Sequence, residues 1–331
     1  MKNRRKLIVM FGVIVAAPLM ARAQPQTKPF RIGILATDSI QTRAPLVDVF
    51  IQAMREYGYV EGKNISFDAR YADGDTVRLS ALATELVGQN PDVIVVANGL
   101  SAHAAARATM QANRAIPIVF AGWATPLGSG LVATLARPGG NVTGVSNIAV
   151  ELAAKQMELL KEVFPKTSRV AVFVDSTTLA AGSYLEQVER AAKLLGVQTL
   201  PVELRNGDDT EQVLGAIRKW RADAIYVPSN PINQTNRKPL VQIAEKIRLP
   251  AVYGNDAFVE IGGLMSYGSD DKLRWRQIAT FVDKILRGTK PGDIPVELPT
   301  TFKFVVNMNT AKALGITIPP TILVRADRVI D

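Results

Sequence analysis

Four motifs recur in one order at nearly one separation, and this repetition limits the folds open to the chain more than any other feature. Phe30-Arg-Ile-Gly-Ile-Leu-Ala-Thr-Asp-Ser39 is echoed by Ser168-Arg-Val-Ala-Val-Phe-Val-Asp-Ser176. Asp73-Gly74-Asp75-Thr76 has a counterpart in Asn206-Gly207-Asp208-Asp209-Thr210, Asp92-Val-Ile-Val-Val in Asp223-Ala-Ile-Tyr-Val, and Ile116-Pro-Ile-Val-Phe120 in Leu249-Pro-Ala-Val-Tyr253. The offsets are 138 for Arg31 to Arg169, 133 for Gly74 to Gly207, 131 for Asp92 to Asp223 and 133 for Pro117 to Pro250. Singly, each motif has a structural explanation: the aspartates end turns before strands and the prolines stop helices. Their shared order implies two similar halves. A chain of 331 residues is also long for one core.

Within each half, short apolar runs alternate with helical patterns. Arg31 to Ala36 reads as a strand, Pro45 to Tyr57 as a helix closed by Gly58, and Asn64 to Tyr71 as a second strand. Thr76 to Gln89 reads as a helix, Asp92 to Ala97 as a buried parallel strand, and Ser101 to Asn113 as a third helix before the strand at Ile116. This order predicts an α/β fold of two similar lobes, each a parallel sheet flanked by helices, joined by a hinge of several segments. The first lobe is expected to take residues 30–145 plus about 266–290, and the second about 146–265 plus 300–331. Gly262 to Gly268 reads as a turn and short strand returning toward the first lobe. Asp271 to Leu286 reads as a helix with Ile278, Phe281, Val282 and Ile285 on one face. The Pro-rich connection from Lys290 to Thr300 is expected to cross along the surface.

The stretch from Ile116 to Val145 is the least regular part of the chain. A strand ends at Phe120, a Gly/Pro/Ser-rich segment follows to Gly130, and a short helical stretch is expected before Arg137-Pro138-Gly139-Gly140. A strand that ends in a long irregular loop is where α/β folds build binding sites.

Residues 1–23 have the pattern of a secretory leader. Lys2, Arg4, Arg5 and Lys6 precede an apolar run from Leu7 to Met20, and Ala21-Arg22-Ala23 fits a cleavage site. Cleavage after Ala23 would leave a soluble, exported chain. The formal charge of +9 falls to +4 once the five Lys/Arg of that leader are removed. No basic run interleaved with aromatics remains, which disfavours nucleic acid as a partner. With no cysteine and a single histidine, His103, the chain offers no disulfide framework, no thiolate, and little material for a metal centre or a Ser-His-Asp triad. No cofactor and no metal are expected.

Ligands of parallel α/β lobes sit beyond the carboxyl ends of the strands. In the first lobe this places Thr37, Asp38, Ser39, Asn98, Ser101, Trp123 and Thr125 among the candidates. In the second it places Asp175, Ser176, Ser229, Asn230, Asn255 and Asp256, with Tyr267 nearby. Hydroxyls and amides suit a carboxylate, Asp38 or Asp256 an ammonium, and Trp123 or Tyr267 an apolar or aromatic part. Ser39 and Ser101 have a competing role as helix caps, Trp123 as packing under its own loop, and His103 as a solvated or core residue.

A family resemblance covers nearly the whole mature chain. It is carried by Gly58-Tyr-Val-Glu-Gly-Lys-Asn64, Tyr71-Ala-Asp-Gly-Asp75, Ile116-Pro-Ile-Val-Phe-Ala121, Gly128-Ser-Gly-Leu-Val132 and Leu135-Ala-Arg-Pro-Gly-Gly-Asn-Val-Thr-Gly144. Gly262-Gly-Leu-Met-Ser-Tyr-Gly268, Thr310-Ala-Lys-Ala-Leu-Gly315 and Ile318-Pro-Pro320 complete it. In these segments the chain resembles the ABC transporter substrate-binding family that includes tryptophan-binding-like proteins, with the periplasmic binding protein type I fold. The resemblance implies a monomeric periplasmic receptor that delivers a small solute to a membrane permease and its ATPase. Amino acids and small organic carboxylates, aromatic ones included, are the expected solute class. Family members often carry Asp-Pro before the Gly-Ser-Gly-Leu-Val segment, whereas this chain has Thr125-Pro126, so no relative's ligand can be transferred directly.

Two other classes use the same cleft. A secreted α/β enzyme is one, although no G-x-G-x-x-G after the first strand, no P-loop, no G-x-S-x-G elbow and no H-E-x-x-H occurs. An exported ligand sensor is the other. The chain is expected not to be an enzyme.

Overall fold

The computed structural model describes residues 28–176, 181–205 and 210–331. The expected leader, and the Asn206-to-Asp209 part of the second motif, lie outside those residues. No described helix is long and apolar enough to cross a membrane.

The first half alternates strand and helix: β1 (Phe30–Ala36), α1 (Ile40–Glu56), β2 (Ile65–Tyr71), α2 (Thr76–Gly88), β3 (Val93–Val96), α3 (Gly99–Gln111), β4 (Ile118–Trp123) and β5 (Val142–Ser146). The strands form one parallel sheet in the order β2-β1-β3-β4-β5. Period-two alternation sends Val93 and Val95 to a core shared with Phe50, Met54 and Trp275, and Ile94 and Val96 to one shared with Leu79, Leu86 and Phe120. A sheet buried on both faces needs continuous β-branched runs, and β3 is Val-Ile-Val-Val.

The second half continues with α4 (Ala149–Val163), β6 (Arg169–Phe173), α5 (Ala181–Leu194), β7 (Gln198–Val202), α6 (Thr210–Trp220) and β8 (Ala224–Val227). Then come α7 (Pro231–Thr235), α8 (Arg237–Ile247), β9 (Ala251–Tyr253), α9 (Asp256–Val259), β10 (Met265–Ser269) and α10 (Asp271–Leu286). The chain ends with β11 (Phe302–Asn307), α11 (Met308–Leu314), α12 (Pro320–Leu323) and β12 (Arg328–Ile330). The second sheet runs β12-β11-β10-β9-β8-β6-β7, parallel except where β10 meets β11. The fold is thus α/β, with two mainly parallel sheets flanked by helices.

The repeated motifs do the same work in both halves. Asp92 accepts the Arg31 N–H at 2.7 Å, and Asp223 accepts those of Ser168 and Arg169 at 2.8 and 3.0 Å. Arg31 and Arg169 each donate to a carbonyl at the C-terminal end of the helix before that aspartate, that of Gln89 and that of Trp220. The carbonyls of Pro117 and Pro250 each start the next strand pairing, by accepting from Ile94 and Ile225 at 2.8 and 2.9 Å.

Several boundaries differ from expectation. Helix α1 begins five residues before Pro45, because Ser39 caps it through Oγ and Pro45 is accommodated inside. The segment after Gly130 forms bends rather than a short helix. Strand β10 stays in the second sheet between β9 and β11, so the return to the first lobe falls at Asp270, after β10, instead of before it. The Pro-rich connection is tied to the first lobe: Val296 N–H donates to Leu135 and Glu297 N–H to Gly144, and Ile294 and Val296 are buried. Residues around 147–148, 270 and 298–301 therefore make three passages between the lobes.

Candidate ligand cleft between the lobes

Two helices of the first lobe begin with an arginine at the head of an apolar stripe. On α1 the buried positions are Arg43, Val47, Phe50, Ala53 and Met54; on α10 they include Arg274, Ile278, Phe281, Val282 and Ile285. The spacing of i, i+4, i+7 and i+11 carries both guanidiniums inward with the hydrophobic face. Arg43 donates from Nε and Nη2 to Asp38 at 2.8 and 2.5 Å and lies over the Trp275 ring at 5.6 Å. Arg274 donates to the Ala121 carbonyl and to Asp271, while its Nε is buried without a partner among the described residues. Gly122 makes room for it, since a Cβ there would collide with the guanidinium.

Both arginines line a cavity of about 140 Å³ lying between the two lobes. The first lobe contributes Asn98 to Leu100 and His103 beyond β3, and Gly122 to Thr125 at the end of β4. The second contributes Asp175 beyond β6, Tyr184 on α5, and Pro228 to Asn230 beyond β8. Asn147 and Val150 close it at the first passage. A further cavity of about 240 Å³ continues along the cleft, with Leu100, Asp175 and Pro231 in both walls and Thr37 and Arg205 beyond.

Trp123 meets His103 edge-to-face at 5.3 Å and 74°, and Phe120 at 5.3 Å and 82°. Burial, with help from Arg107, pushes the His103 imidazole below its ordinary value of 6.5, so it is neutral at physiological pH. Opposite, the Tyr184 hydroxyl donates to Tyr226, Tyr226 to Gln156, and Gln156 to the Tyr267 carbonyl. Burial pushes the Tyr184 phenol well up, which keeps it a donor. Burial also lowers the Arg237 guanidinium at the start of α8, while Asp38 and Asp271 across the cleft oppose that shift.

The sequence candidates divide into two groups. Asn98, Trp123, Thr125, Asp175, Ser229 and Asn230 line the first cavity, and Thr37 the adjoining one. Three of these are also structural: Asn98 caps α3 and donates to Thr37 at 2.6 Å, Asn230 caps α7, and Ser229 accepts from Gln234 at 3.2 Å. The remainder are not among the described lining residues. Asp38 is fully buried and bound to Arg43, so it does not offer its charge to the cavity. Ser39 and Ser101 close helix caps. Ser176 is held by Glu203 and Arg205, and Asn255 donates to Asp271 at 3.2 Å. Asp256 faces Lys303 at 3.8 Å, and Tyr267 stacks on Phe302 at 6.0 Å on the second sheet. Sequence reasoning missed Arg43, Arg274, Asp271 and Tyr184. For the two arginines, a charge placed in phase with an apolar stripe was the available signal.

Comparison with known proteins agrees with this architecture. Residues 31–330 match the family described as ABC transporter substrate binding protein. A tyrosine-binding protein of Clostridioides difficile (strain R20291) is 26% identical over 266 residues, 80% of this chain and 75% of its own. A crystal structure of an ABC domain in complex with L-Trp, from Streptococcus pneumonia, superposes with a TM-score of 0.83 at 27% identity, over 92% of this chain and 100% of that one. A conserved domain protein from Vibrio cholerae gives a TM-score of 0.84 at 28% identity, over 91% and 100%.

Proposed function

The chain belongs to the ABC transporter substrate binding protein family, and from that premise we propose that it is the periplasmic receptor of an importer, capturing an amino acid-like or small carboxylate solute with an aromatic part. The observation that carries this reading is one cavity with a wall from each lobe, Arg43, Arg274 and Asp271 on the first-lobe side, Asp175 on the other, and Trp123 in the wall. Arg43 and Arg274 suit a carboxylate. Asp175 suits an ammonium, and Trp123 a ring. A volume near 140 Å³ is comparable to the roughly 150 Å³ of an apolar cavity that accepts benzene. The tyrosine-binding relative and the L-Trp complex support the same class.

Because the contacts come from both lobes, ligand favours the closed arrangement, which a permease and its ATPase would then recognise. The protein acts as a monomer, exported by a leader cleaved after Ala23, and leaves its solute unchanged. The test is a thermal-shift screen of the chain from Gln24 onward, stripped of solute by refolding, against amino acids, aromatic acids, dicarboxylates, sugars and nucleosides. A ligand at about 100 times its Kd adds roughly 2.7 kcal/mol, a rise of a few degrees. A selective shift by an aromatic amino acid or acid, with the ligand recovered intact, supports the reading. A shift by sugars alone removes the solute class, and turnover of a hit replaces the receptor with an enzyme.

A further inference from the structure

The cleft does not end at the first cavity. A second one of about 240 Å³ adjoins it, and Leu100, Asp175 and Pro231 stand in both walls. It exceeds the roughly 150 Å³ of an apolar cavity that accepts benzene, so a solute seated in the first cavity leaves room for a further group. The ends of such a solute are not equally free to carry one. Arg43, Arg274 and Trp123 line the first cavity only, so a carboxylate and a ring held there lie where the second does not reach. Asp175 stands at the junction and accepts the N–H of Ile232, which lines the second cavity, at 3.4 Å. The solute nitrogen assigned to Asp175 is therefore the end from which a chain can run on. An amide N–H donates to a carboxylate as an ammonium does.

We propose that the cleft takes a dipeptide whose C-terminal residue is aromatic, with that residue in the first cavity and the N-terminal residue in the second. This rests on the aromatic, carboxylate-binding reading of the first cavity given above. The charges of the second cavity fit a terminal ammonium rather than another carboxylate. Arg205, the cation among its described lining residues, is already paired with Glu203 at 2.8 Å and bonded to Ser176 at 3.0 Å. Asp75 is exposed in the same wall and makes no ion pair among the described residues. Its Oδ1 accepts the N–H groups of Val77 and Arg78 at the start of α2, and the carboxylate charge is left for the ammonium. Thr37, Thr76 and Thr235 give the second cavity a lining part polar and part apolar, which suits a peptide unit with a small side chain.

The test is calorimetric titration of tyrosine, alanyl-tyrosine, tyrosyl-alanine and N-acetyltyrosine into the refolded chain from Gln24 onward and into D75N and T76W. Asparagine keeps the helix cap while removing the charge, and the tryptophan adds bulk in the second cavity alone. The expected result is that alanyl-tyrosine binds on the order of tenfold or more tighter than tyrosine, and tighter by a similar factor than tyrosyl-alanine, which has the same composition in the opposite order. D75N lowers alanyl-tyrosine to the level of N-acetyltyrosine and leaves tyrosine unchanged. T76W weakens alanyl-tyrosine roughly tenfold, again without moving tyrosine. Tyrosine bound at least as tightly as alanyl-tyrosine, equal losses for the two in T76W, or alanyl-tyrosine unaffected by both variants overturns the inference while leaving the aromatic reading intact. Binding of none of the four overturns both.

Discussion

Gly99 and Trp123 occupy the same space by turns: a Cβ on Gly99 would overlap the indole Nε1 and its neighbouring ring atoms. The backbone of Gly99 does not need a left-handed conformation, so the glycine serves the indole rather than the turn. G99A is expected to push Trp123 out of the cavity wall, at about 1–3 kcal/mol in stability. It should also weaken binding of an aromatic solute by roughly tenfold or more. Urea denaturation and titration of the same preparation check both, and unchanged binding would remove Trp123 from the ligand wall.

Arg274 is tied to Asp271 and to the Ala121 carbonyl, and is only 6% exposed. Replacing it by Met keeps the bulk but leaves the Asp271 carboxylate without its cation, held only by the Asn255 amide among the described residues. R274M is expected to lose roughly 2–4 kcal/mol, less than a fully buried pair would because Asp271 retains some solvent. Carboxylate binding should fall by at least about a hundredfold. A variant with full affinity would place the carboxylate elsewhere.

The two strand-start aspartates should differ in cost. Asp92 receives one backbone N–H, whereas Asp223 receives two and the Ser168 hydroxyl as well. D92A is expected to cost about 1 kcal/mol and D223A roughly 2–3 kcal/mol. Equal losses in denaturant melts would mean that the repeat carries no graded load.

Asp256 predicts a pH effect of definite sign. Burial pushes its carboxyl above the ordinary range, although Lys303 pulls the other way. A carboxylate raised in the folded state costs stability above its titration, and that cost disappears as pH falls below the unfolded value. D256N is therefore expected to be slightly more stable than the parent at pH 7, with the two converging in acid. A D256N variant less stable than the parent at pH 7 would show that Lys303 dominates instead.

Ile148 adopts φ 42° and ψ 37° at the first passage between the lobes, a left-handed conformation that a β-branched residue resists. Asn tolerates that region. I148N is expected to match or exceed the parent by up to about 1 kcal/mol, despite losing apolar surface. A loss above 2 kcal/mol in equilibrium unfolding would mean that the Ile148 side chain outweighs the backbone strain.

Much of the scaffold was legible because it is periodic. The β-branched runs of β1 and β3, and the Asp92/Asp223 and Pro117/Pro250 pairs, announce strands and their spacing before any contact is known. The seven-stranded second sheet was not, because β10 and β11 become neighbours only after the chain has left for α10 and come back, and short-range pattern carries no trace of that return. In the cleft, strand-end position found Asn98, Trp123, Asp175 and Ser229. It also drew in Asp38 and Tyr267, whose partners Arg43 and Phe302 come from other elements. Arg43 and Arg274 escaped because they lie in helices read only for their apolar faces.

The three passages between the lobes restrict how the cleft opens. Three covalent links suppress sliding and twisting of one lobe on the other far more than bending, so under the proposed function the expected motion is a single swing. The two cavity walls then approach each other in one register, and much of the entropy of aligning them has been removed at folding rather than at each encounter. Under the proposed function, arrival of solute would be a choice along one coordinate, with Asp175 and Tyr184 of the second lobe facing the cavity that Trp123 also lines.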